Sequence, residues 1–184
     1  MAKMKVLMVS AEVEPFAKTG GLGDVVGSLP KALNKSNVNT RVIMPLYGQI
    51  SPKYKEKMKY LGYIYVDVGW RHQYCGIYSL RHQYTTYYFV DNEFYFKRDK
   101  FYDDLDLEKF AFLSLAAFEV AKYVRFRPDV IHSHDWHTGV ISALLNRPRL
   151  SAVSYCKLVK SMFETVFEPD INAPRTPIKG AITT

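Results

Sequence analysis

Residues 18–24, Lys-Thr-Gly-Gly-Leu-Gly-Asp, decide the fold of this chain. They follow the apolar run 6–10 and precede residues 25–29, where a helical pattern begins. Glycines let a backbone come close to a ligand, and the first N–H groups of a helix have no partner within the helix. Those groups favour an anion, and the lysine adds a charge beside them. The order of strand, glycine-rich turn and helix therefore predicts an α/β sheet with a ligand-binding loop.

The glycine-rich stretch has a simpler interpretation, which is a tight turn between strand and helix. A lysine directly before paired glycines is more than a turn requires, so we favour ligand contact. The pattern is neither the Walker A motif, which ends in Gly-Lys-Ser/Thr, nor the dinucleotide motif G-x-G-x-x-G. On spacing alone the stretch is an unassigned sugar or phosphate loop.

The composition suits one globular domain and argues against a nucleic-acid partner. The chain has 184 residues, of which 48% are hydrophobic, and this is enough for a buried core. Its formal charge is +7, but the basic residues are scattered, and the densest cluster, at 97–100, contains an acid. A nucleic-acid-binding domain more often carries a basic stripe within a recognisable module. We therefore expect the charge to serve solubility and to attract an anionic ligand.

The N-terminus and the cysteines indicate a reducing, cytoplasmic setting. The apolar stretch before Glu12 is too short for a signal peptide or a membrane span. Cys75 and Cys156 are far apart and fit no metal-binding or redox spacing. We expect a cytoplasmic protein without membrane contact.

Apolar runs alternate with helical patterns, which predicts a Rossmann-like parallel sheet with flanking helices. Strands are predicted at 5–10, 40–44 and 129–132, the last of them buried, and helices at 24–33, 107–124 and 138–145. Asp24 is placed to cap the first helix, and Pro30 is expected to kink or end it. Between residues 62 and 91 the pattern changes to alternating strands, which predicts a small antiparallel excursion.

A second candidate site is the segment 132–137, His-Ser-His-Asp-Trp-His, at the end of the last predicted strand. Its first two histidines share one face of the strand, so a metal site is one interpretation. The spacing differs from that of binuclear metallohydrolases, however, and no second histidine-rich segment exists, so we expect no metal. The segment lies at the same carboxyl edge as the glycine-rich loop, where open α/β sheets bind ligands. Trp136 is either a packing residue or a sugar platform, and packing is favoured.

Several motifs in one order and spacing resemble bacterial glycogen synthase, also called starch synthase. They lie at 5–25, 41–47, 69–78, 88–98, 108–112 and 129–139. The resemblance covers residues 1–147, which are predicted to form the N-terminal catalytic lobe of a GT-B glycosyltransferase fold. It implies glucose transfer from ADP-glucose to the non-reducing end of an α-1,4-glucan, with retention of configuration. It also implies that no metal or other cofactor is required.

The resemblance implies roles for individual residues. Asp135 is expected to be catalytic, by positioning the sugar. The phosphates and sugar of ADP-glucose are expected to be held by Lys18, Thr19, Gly20 and Gly21. The acceptor glucan is expected near Asp24, Asn92, Glu93 and Tyr95. Supporting hydrogen bonds are expected from His132, His134 and His137. From the residues alone, 91–93 also fit an Asx-type turn with solvated acids, and Asp24 fits a helix cap.

Residues 148–184 depart from the family pattern. Family members follow the histidine segment with a strand ending in Thr-Ile/Val-His-Asn-Leu, whereas residues 151–158 contain no histidine. The end of the chain, rich in proline and small polar residues, is predicted to be extended or partly disordered. The chain is also too short for the C-terminal lobe, which in the family binds most of the ADP. Truncation, an internal deletion and a frame shift all fit this departure.

Two functions from different classes remain open. In the first, the chain is the N-terminal lobe of an ADP-glucose glucosyltransferase and needs a C-terminal lobe as its partner. In the second, it is a non-catalytic remnant that binds α-glucan through an aromatic surface, for which it has 14 Tyr and 11 Phe. The first predicts poor transfer by the chain alone, and the second predicts glucan retention without nucleotide binding.

Overall fold

A computed structural model describes residues 3–145, which form a six-stranded sheet flanked by helices. The strands are β1 (Lys5–Val9), β2 (Asn39–Pro45), β3 (Lys59–Val68), β4 (Arg71–His82), β5 (Thr85–Asp91) and β6 (Val130–Ser133). The helices are α1 (Gly21–Lys35), α2 (Pro52–Lys55), α3 (Glu93–Phe96), α4 (Asp106–Tyr123) and α5 (Val140–Leu145), and a 3-10 helix at Trp136–Thr138 precedes α5. The predicted α/β fold is confirmed, and the predicted tail at 148–184 lies outside the described residues.

The sheet combines a parallel part with an antiparallel hairpin, in the order β3-β4-β5-β2-β1-β6. β5, β2, β1 and β6 pair in parallel, whereas β3 and β4 add the predicted antiparallel excursion beyond β5. The chain leaves β1 toward β2 on one side and returns with β6 on the other. This reversal of strand order at β1 marks the carboxyl edge where open α/β sheets bind ligands.

The last strand, β6, lies at the edge of the sheet, so the prediction that it is buried was wrong. Its side chains alternate between exposed and half-buried, because only β1 pairs with it among the described residues. The Asp129 N–H donates to the Lys5 carbonyl, and the Lys5 N–H donates to Oδ2 of the Asp129 side chain, so this contact aligns β6 with β1. A short apolar run therefore indicated a strand correctly but did not indicate its place in the sheet.

Helix α1 begins earlier and ends later than predicted. Gly20 is its N-cap, and Asp24 lies in its first turn, so the predicted cap at Asp24 was wrong. The helix also continues past Pro30 to Lys35, so of the two predicted effects of the proline, a kink or an end, the end was wrong. Because most helix stability in proteins comes from packing, the contact of α1 with β2 and β5 can outweigh one missing backbone hydrogen bond.

The core contains most of the predicted apolar stripe of α4. Phe110, Leu113, Ala117 and Val120 are buried, and α4 packs against β3 and β2. A second group of aromatic side chains surrounds Phe16, whose ring meets three others edge-on at 5.0–5.1 Å between centroids: Tyr54, Tyr87 and Phe89. Edge-to-face contacts at this distance are favourable beyond the area that they bury. The heavy aromatic content therefore serves packing in large part.

Within residues 3–145 there is neither an exposed cysteine nor a membrane-spanning helix. Cys75 is buried in β4, and burial raises the pKa of its thiol to about 12, so it stays protonated and serves packing. Cys156 lies outside the described residues. No helix of the described part is long and apolar enough to cross a bilayer.

Gly27 allows α1 to lie against the segment after β1, and its replacement is expected to destabilise the fold. A Cβ atom at Gly27 would lie 2.7 Å from the carbonyl oxygen and 2.8 Å from the Cβ of Glu14, so backbone would have to move. We expect Gly27→Ala to lower the free energy of unfolding by about 1–3 kcal/mol, measured by chemical denaturation. Gly21→Ala is the matched control, because a Cβ there meets nothing within 4 Å. Equal stability of the two variants would contradict this packing.

Candidate functional site

A pocket of about 450 Å³ lies at the carboxyl ends of β1 and β6. Residues from both sequence-predicted segments line it, including Thr19, Gly20, Asp135 and Trp136, together with Glu12, Tyr102 and Asp106. The parallel pairing of β6 with β1 brings the two segments together, although more than 100 residues separate them. The sequence-based expectation that they share one edge is confirmed.

Glu12 is the most connected polar group of the pocket, and it was not among the predicted site residues. Its Oε2 accepts hydrogen bonds from the N–H groups of Thr19 at 2.6 Å and Gly20 at 3.2 Å. Its Oε1 accepts from the Thr19 hydroxyl at 2.5 Å and from the Tyr102 hydroxyl. Burial acts to raise the pKa of Glu12, but these hydrogen bonds outweigh it and lower the pKa, so the carboxylate is charged.

One sequence signal could have identified Glu12. It is an acid three residues beyond the apolar part of β1, on the edge where ligands bind, and the structure shows that it is only 3% exposed. A buried charge requires compensating hydrogen bonds, so an acid at such a position indicates a local network. Its partners come from a loop 7 residues away and from another 90 residues away, and sequence spacing does not reveal that pairing.

Lys18 lies on the surface beside this pocket rather than in its lining. Its Nζ bonds Oδ1 of Asp24 at 2.6 Å, and this partner raises the pKa of Lys18. The lysine side chain passes directly over Gly23, where a Cβ would lie 2.9 Å from Lys18 Cγ. Asp24 therefore holds the predicted donor-contacting lysine instead of capping the helix.

The glycine pair presents less free backbone than the sequence suggested. The Gly20 N–H, predicted to cradle the donor phosphate, already donates to Glu12. Gly21 is the first residue of α1, and the space around its Cα is open. A ligand that took the Gly20 N–H would have to displace a buried carboxylate from it.

Asp135 adopts a backbone conformation that few non-glycine residues adopt. Its φ is 61° and its ψ is 179°, and its Oδ1 accepts a hydrogen bond from the Trp136 N–H at 2.7 Å. Such conformations cost energy, and they concentrate at functional sites, where surrounding contacts impose them. The side chain is exposed at the pocket, and its predicted contact with a sugar stays a prediction.

Trp136 is 52% exposed and lines the pocket, so the prediction that it packs in the core was wrong. One face of the indole stacks on the His137 ring with centroids 4.2 Å apart, and Phe110 supports it edge-on at 5.4 Å. An indole held in this way is a rigid apolar surface next to polar groups, as sugar binding requires.

The three histidines of segment 132–137 differ in their surroundings. His132 and His134 share a face of the strand, as predicted, with ring centroids 4.1 Å apart. Nε2 of His134 and Nδ1 of His137 are buried and have no hydrogen-bond partner among the described residues. Burial lowers the pKa of both, that of His134 to about 4 with a further contribution from His132. Their predicted role as supporting hydrogen-bonders stays a prediction.

No group of three or more His, Cys, Asp or Glu side chains between residues 3 and 145 is arranged to hold a metal ion. The nearest approach of an acid to a histidine in segment 132–137 is that of Asp135 Oδ2 to His137 Nδ1, at 3.8 Å. The sequence-based metal interpretation therefore has no supporting geometry in this part of the chain.

Of the residues predicted near the acceptor, Asp24 lies in the first turn of α1, whereas Asn92, Glu93 and Tyr95 follow the end of β5. None of the four lines the pocket. Asn92 is buried and caps α3 through a hydrogen bond from the Tyr95 N–H, while its amide donates to the Tyr74 carbonyl. Glu93 is exposed and pairs with Lys97. The ring of Tyr95 is 1% exposed, so stacking on a sugar would require it to leave the core. Asp91 is also buried, so the interpretation of 91–93 as solvated acids was wrong for that residue.

A family model described as the starch synthase catalytic domain matches residues 5–172. The chain belongs to the starch synthase catalytic domain family. The match runs past residue 147, and the boundary predicted there stays a prediction. The matched residues therefore include both segments that form the pocket, 18–24 and 132–137.

Individual relatives agree with this assignment. The chain is 51% identical to the glycogen synthase of Geobacillus stearothermophilus over 143 residues, which are 77% of this chain and 30% of the relative. It is 43% identical to the glycogen synthase of Clostridium beijerinckii over 178 residues, which cover 91% of this chain and 37% of the relative. The chain therefore spans about a third of the length of these starch synthase family members.

A solved structure shows the same relationship in three dimensions. The catalytic domain of starch synthase IV from Arabidopsis thaliana, bound to ADP and acarbose, matches with a TM-score of 0.73 and 28% identity. The match covers 84% of this chain and 32% of that one. The chain thus shares its fold with about a third of that starch synthase catalytic domain.

The low pKa of His134 predicts loss of stability in mild acid. The unfolded chain takes up a proton on this residue below about pH 6.5, whereas the folded chain does so only near pH 4. The contribution is therefore fully present above pH 6.5, and about 3 kcal/mol is lost as the pH falls from 6.5 to 4. We expect denaturant unfolding of His134→Gln to show a shallower decline over this window than the wild type. An unchanged slope would contradict the burial of a neutral His134, and the exposed His72 supplies a control, His72→Gln.

Proposed function

We propose that this chain is the N-terminal lobe of a cytoplasmic, ADP-glucose-dependent glucosyltransferase that extends an α-1,4-glucan in glycogen synthesis. The observation that carries the proposal is the convergence of the Lys18 loop and the Asp135–Trp136 segment on one pocket in a starch synthase fold. The names of the relatives support glycogen as the product, and the Arabidopsis structure, with its bound ADP and acarbose, supports a nucleotide and an oligosaccharide as ligands.

The chemistry of the pocket fits the sugar end of such a donor. Carboxylates accept hydrogen bonds from sugar hydroxyls, and the exposed face of Trp136 suits the apolar face of a pyranose ring. Lys18 is free to leave its exposed partner Asp24 at little cost, since exposed ion pairs contribute little to stability. In this proposal the leaving diphosphate is neutralised by cationic side chains and backbone dipoles without a metal ion.

Transfer is expected to require a C-terminal lobe. The purified chain is mixed with labelled ADP-glucose and glycogen, alone or with a separately expressed C-terminal part of the Geobacillus stearothermophilus relative. We expect little incorporation by the chain alone and clear incorporation by the mixture. Lys18→Ala is expected to reduce it at least about tenfold, because it removes a donor contact. A chelator is expected to leave it unchanged.

The matched control for this assay is Lys122→Ala, which removes an exposed lysine paired with Glu119 at the far end of α4. Strong transfer by the chain alone would contradict the need for a second lobe. Equal loss in the two lysine variants would contradict a specific role of Lys18.

A specific surface favours the second candidate function, non-catalytic binding of α-glucan. Tyr63, Tyr65 and Tyr74 are exposed on the β3–β4 hairpin, and Tyr63 stacks on Tyr74 with centroids 5.6 Å apart. His72 stacks on Tyr65 at 4.5 Å, and Trp70 at the hairpin tip is 88% exposed. Exposed clustered aromatic rings mark an interaction surface, and rings of this kind stack on sugars.

Glycogen-affinity electrophoresis tests this surface. We expect Tyr65→Ala to weaken retention by about threefold or more, since it removes a ring that contacts three others. Tyr84→Ala is the control, because Tyr84 is an exposed tyrosine at the other hairpin turn. Retention of wild-type chain without ADP-glucose binding and without transfer in the two-part assay would favour the non-catalytic function over the first.

A further inference from the structure

We propose that Glu12 is a positioning residue, which holds the Thr19 and Gly20 N–H groups turned inward, so that the pocket takes the sugar and Lys18 meets the diphosphate. This inference rests on the proposed function and assigns a separate task to each half of the donor. It replaces the expectation that the Gly20 N–H cradles the phosphate.

The hydrogen-bond donors of the loop that face Glu12 are already occupied. The carboxylate of Glu12 accepts four hydrogen bonds. They come from the Thr19 N–H, the Thr19 hydroxyl, the Gly20 N–H and the Tyr102 hydroxyl. A phosphate that took the two N–H groups would remove two of the four hydrogen bonds that compensate a buried carboxylate, which is a large cost. Lys18 lies on the surface, and breaking its exposed ion pair with Asp24 costs little free energy. Opening the Lys18–Asp24 pair costs less than removing the two N–H groups from Glu12. We therefore assign the phosphate contact to Lys18.

The charge of the pocket lining also bears on which half of the donor the pocket binds. Three carboxylates line it, those of Glu12, Asp106 and Asp135. The buried Lys109 balances Asp106, with Nζ 2.6 Å from Oδ1, but no lysine or arginine within residues 3–145 pairs with Asp135. A diphosphate would be repelled by this lining, whereas a neutral glucosyl group offers hydroxyls that donate to carboxylates.

Glu12 is connected through Tyr102 to the side chains on the other side of the pocket. The Tyr102 hydroxyl donates to Glu12, and the Tyr102 ring lies 5.2 Å from that of His137. His137 in turn supports Trp136 from below. One carboxylate therefore joins the glycine-rich loop, the loop before α4 and the segment after β6. Movement of this group would displace the sugar side of the pocket.

The test compares binding of ADP-glucose and ADP by the full chain mixed with the C-terminal part of the Geobacillus stearothermophilus relative, followed by amide NMR titration. Glu12→Gln keeps the size of the side chain, but it replaces one acceptor oxygen by an amide that faces donors. We expect the preference for ADP-glucose over ADP to fall about tenfold in Glu12→Gln, through lost placement of the sugar. Lys18→Ala is expected to weaken both ligands by one factor and keep the preference. Glu119→Gln, a surface carboxylate on α4, is the control.

Two further measurements keep the proposal testable if Glu12→Gln unfolds. Tyr102→Phe removes a single donor to Glu12 and is expected to lower the same preference by about threefold. Amide hydrogen exchange of Thr19 and Gly20 is expected to be slow in the wild type, to stay slow when ADP binds, and to speed up in Glu12→Gln.

The outcomes separate this inference from the proposed function. Equal weakening of ADP and ADP-glucose in Glu12→Gln would overturn the positioning role, because the residue would then be merely structural. Release of the Thr19 and Gly20 amides on ADP binding would overturn it as well, since those groups would then meet the diphosphate. A wild-type chain that binds neither ligand in this mixture would contradict the proposed function, and rapid exchange of both amides in that chain would overturn the hold of Glu12 on the loop.

Discussion

The parallel pairing of β1 with a strand on each side is the constraint on which the rest of the structure depends. β2 pairs along one edge of β1 and β6 along the other, and Val6–Val9 are buried between them. Hydrogen bonds to two neighbours leave a central strand no freedom of register. The residues that follow β1 and β6 therefore leave the sheet side by side. This places Glu12 and Asp135 at one pocket without any direct contact between them being required.

The charged side chains at the carboxyl edge of the sheet fall into two groups, one buried and one exposed. Glu12 and Lys109 are buried and fully bonded, so they hold loops in place. Lys18 and Asp135 are exposed, and each has one neighbouring hydrogen-bond partner, so they remain available to a ligand. This division follows from the cost of an uncompensated buried charge, which is far larger than the cost of opening an exposed ion pair. Burial therefore distinguishes the charged groups that hold loops in place from those that remain available to a ligand.

The parts of the site that were predicted correctly depend on local patterns. A glycine-rich turn after an apolar run predicted the loop that contains Lys18, and a strand ending at His132 predicted the second segment at the same edge. The parts that were missed depend on distant contacts. Glu12 binds Tyr102, which is 90 residues away, and Trp136 stands on His137 and Phe110 at the pocket rather than in the core. Asp24 fitted a helix cap by position, but Lys18 takes its carboxylate.

The sequence by itself determined the strands, the main helices, the family and the two segments that form the pocket, because each follows from neighbouring residues or from motifs in order. Only the tertiary structure decided that β6 is an edge strand, that α1 continues through Pro30, and that Gly20 N–H is already bonded. The physical reason is the same in each case. Exposure, helix continuity and hydrogen-bond partners depend on what packs nearby in space, and a local pattern of residues carries no information about that.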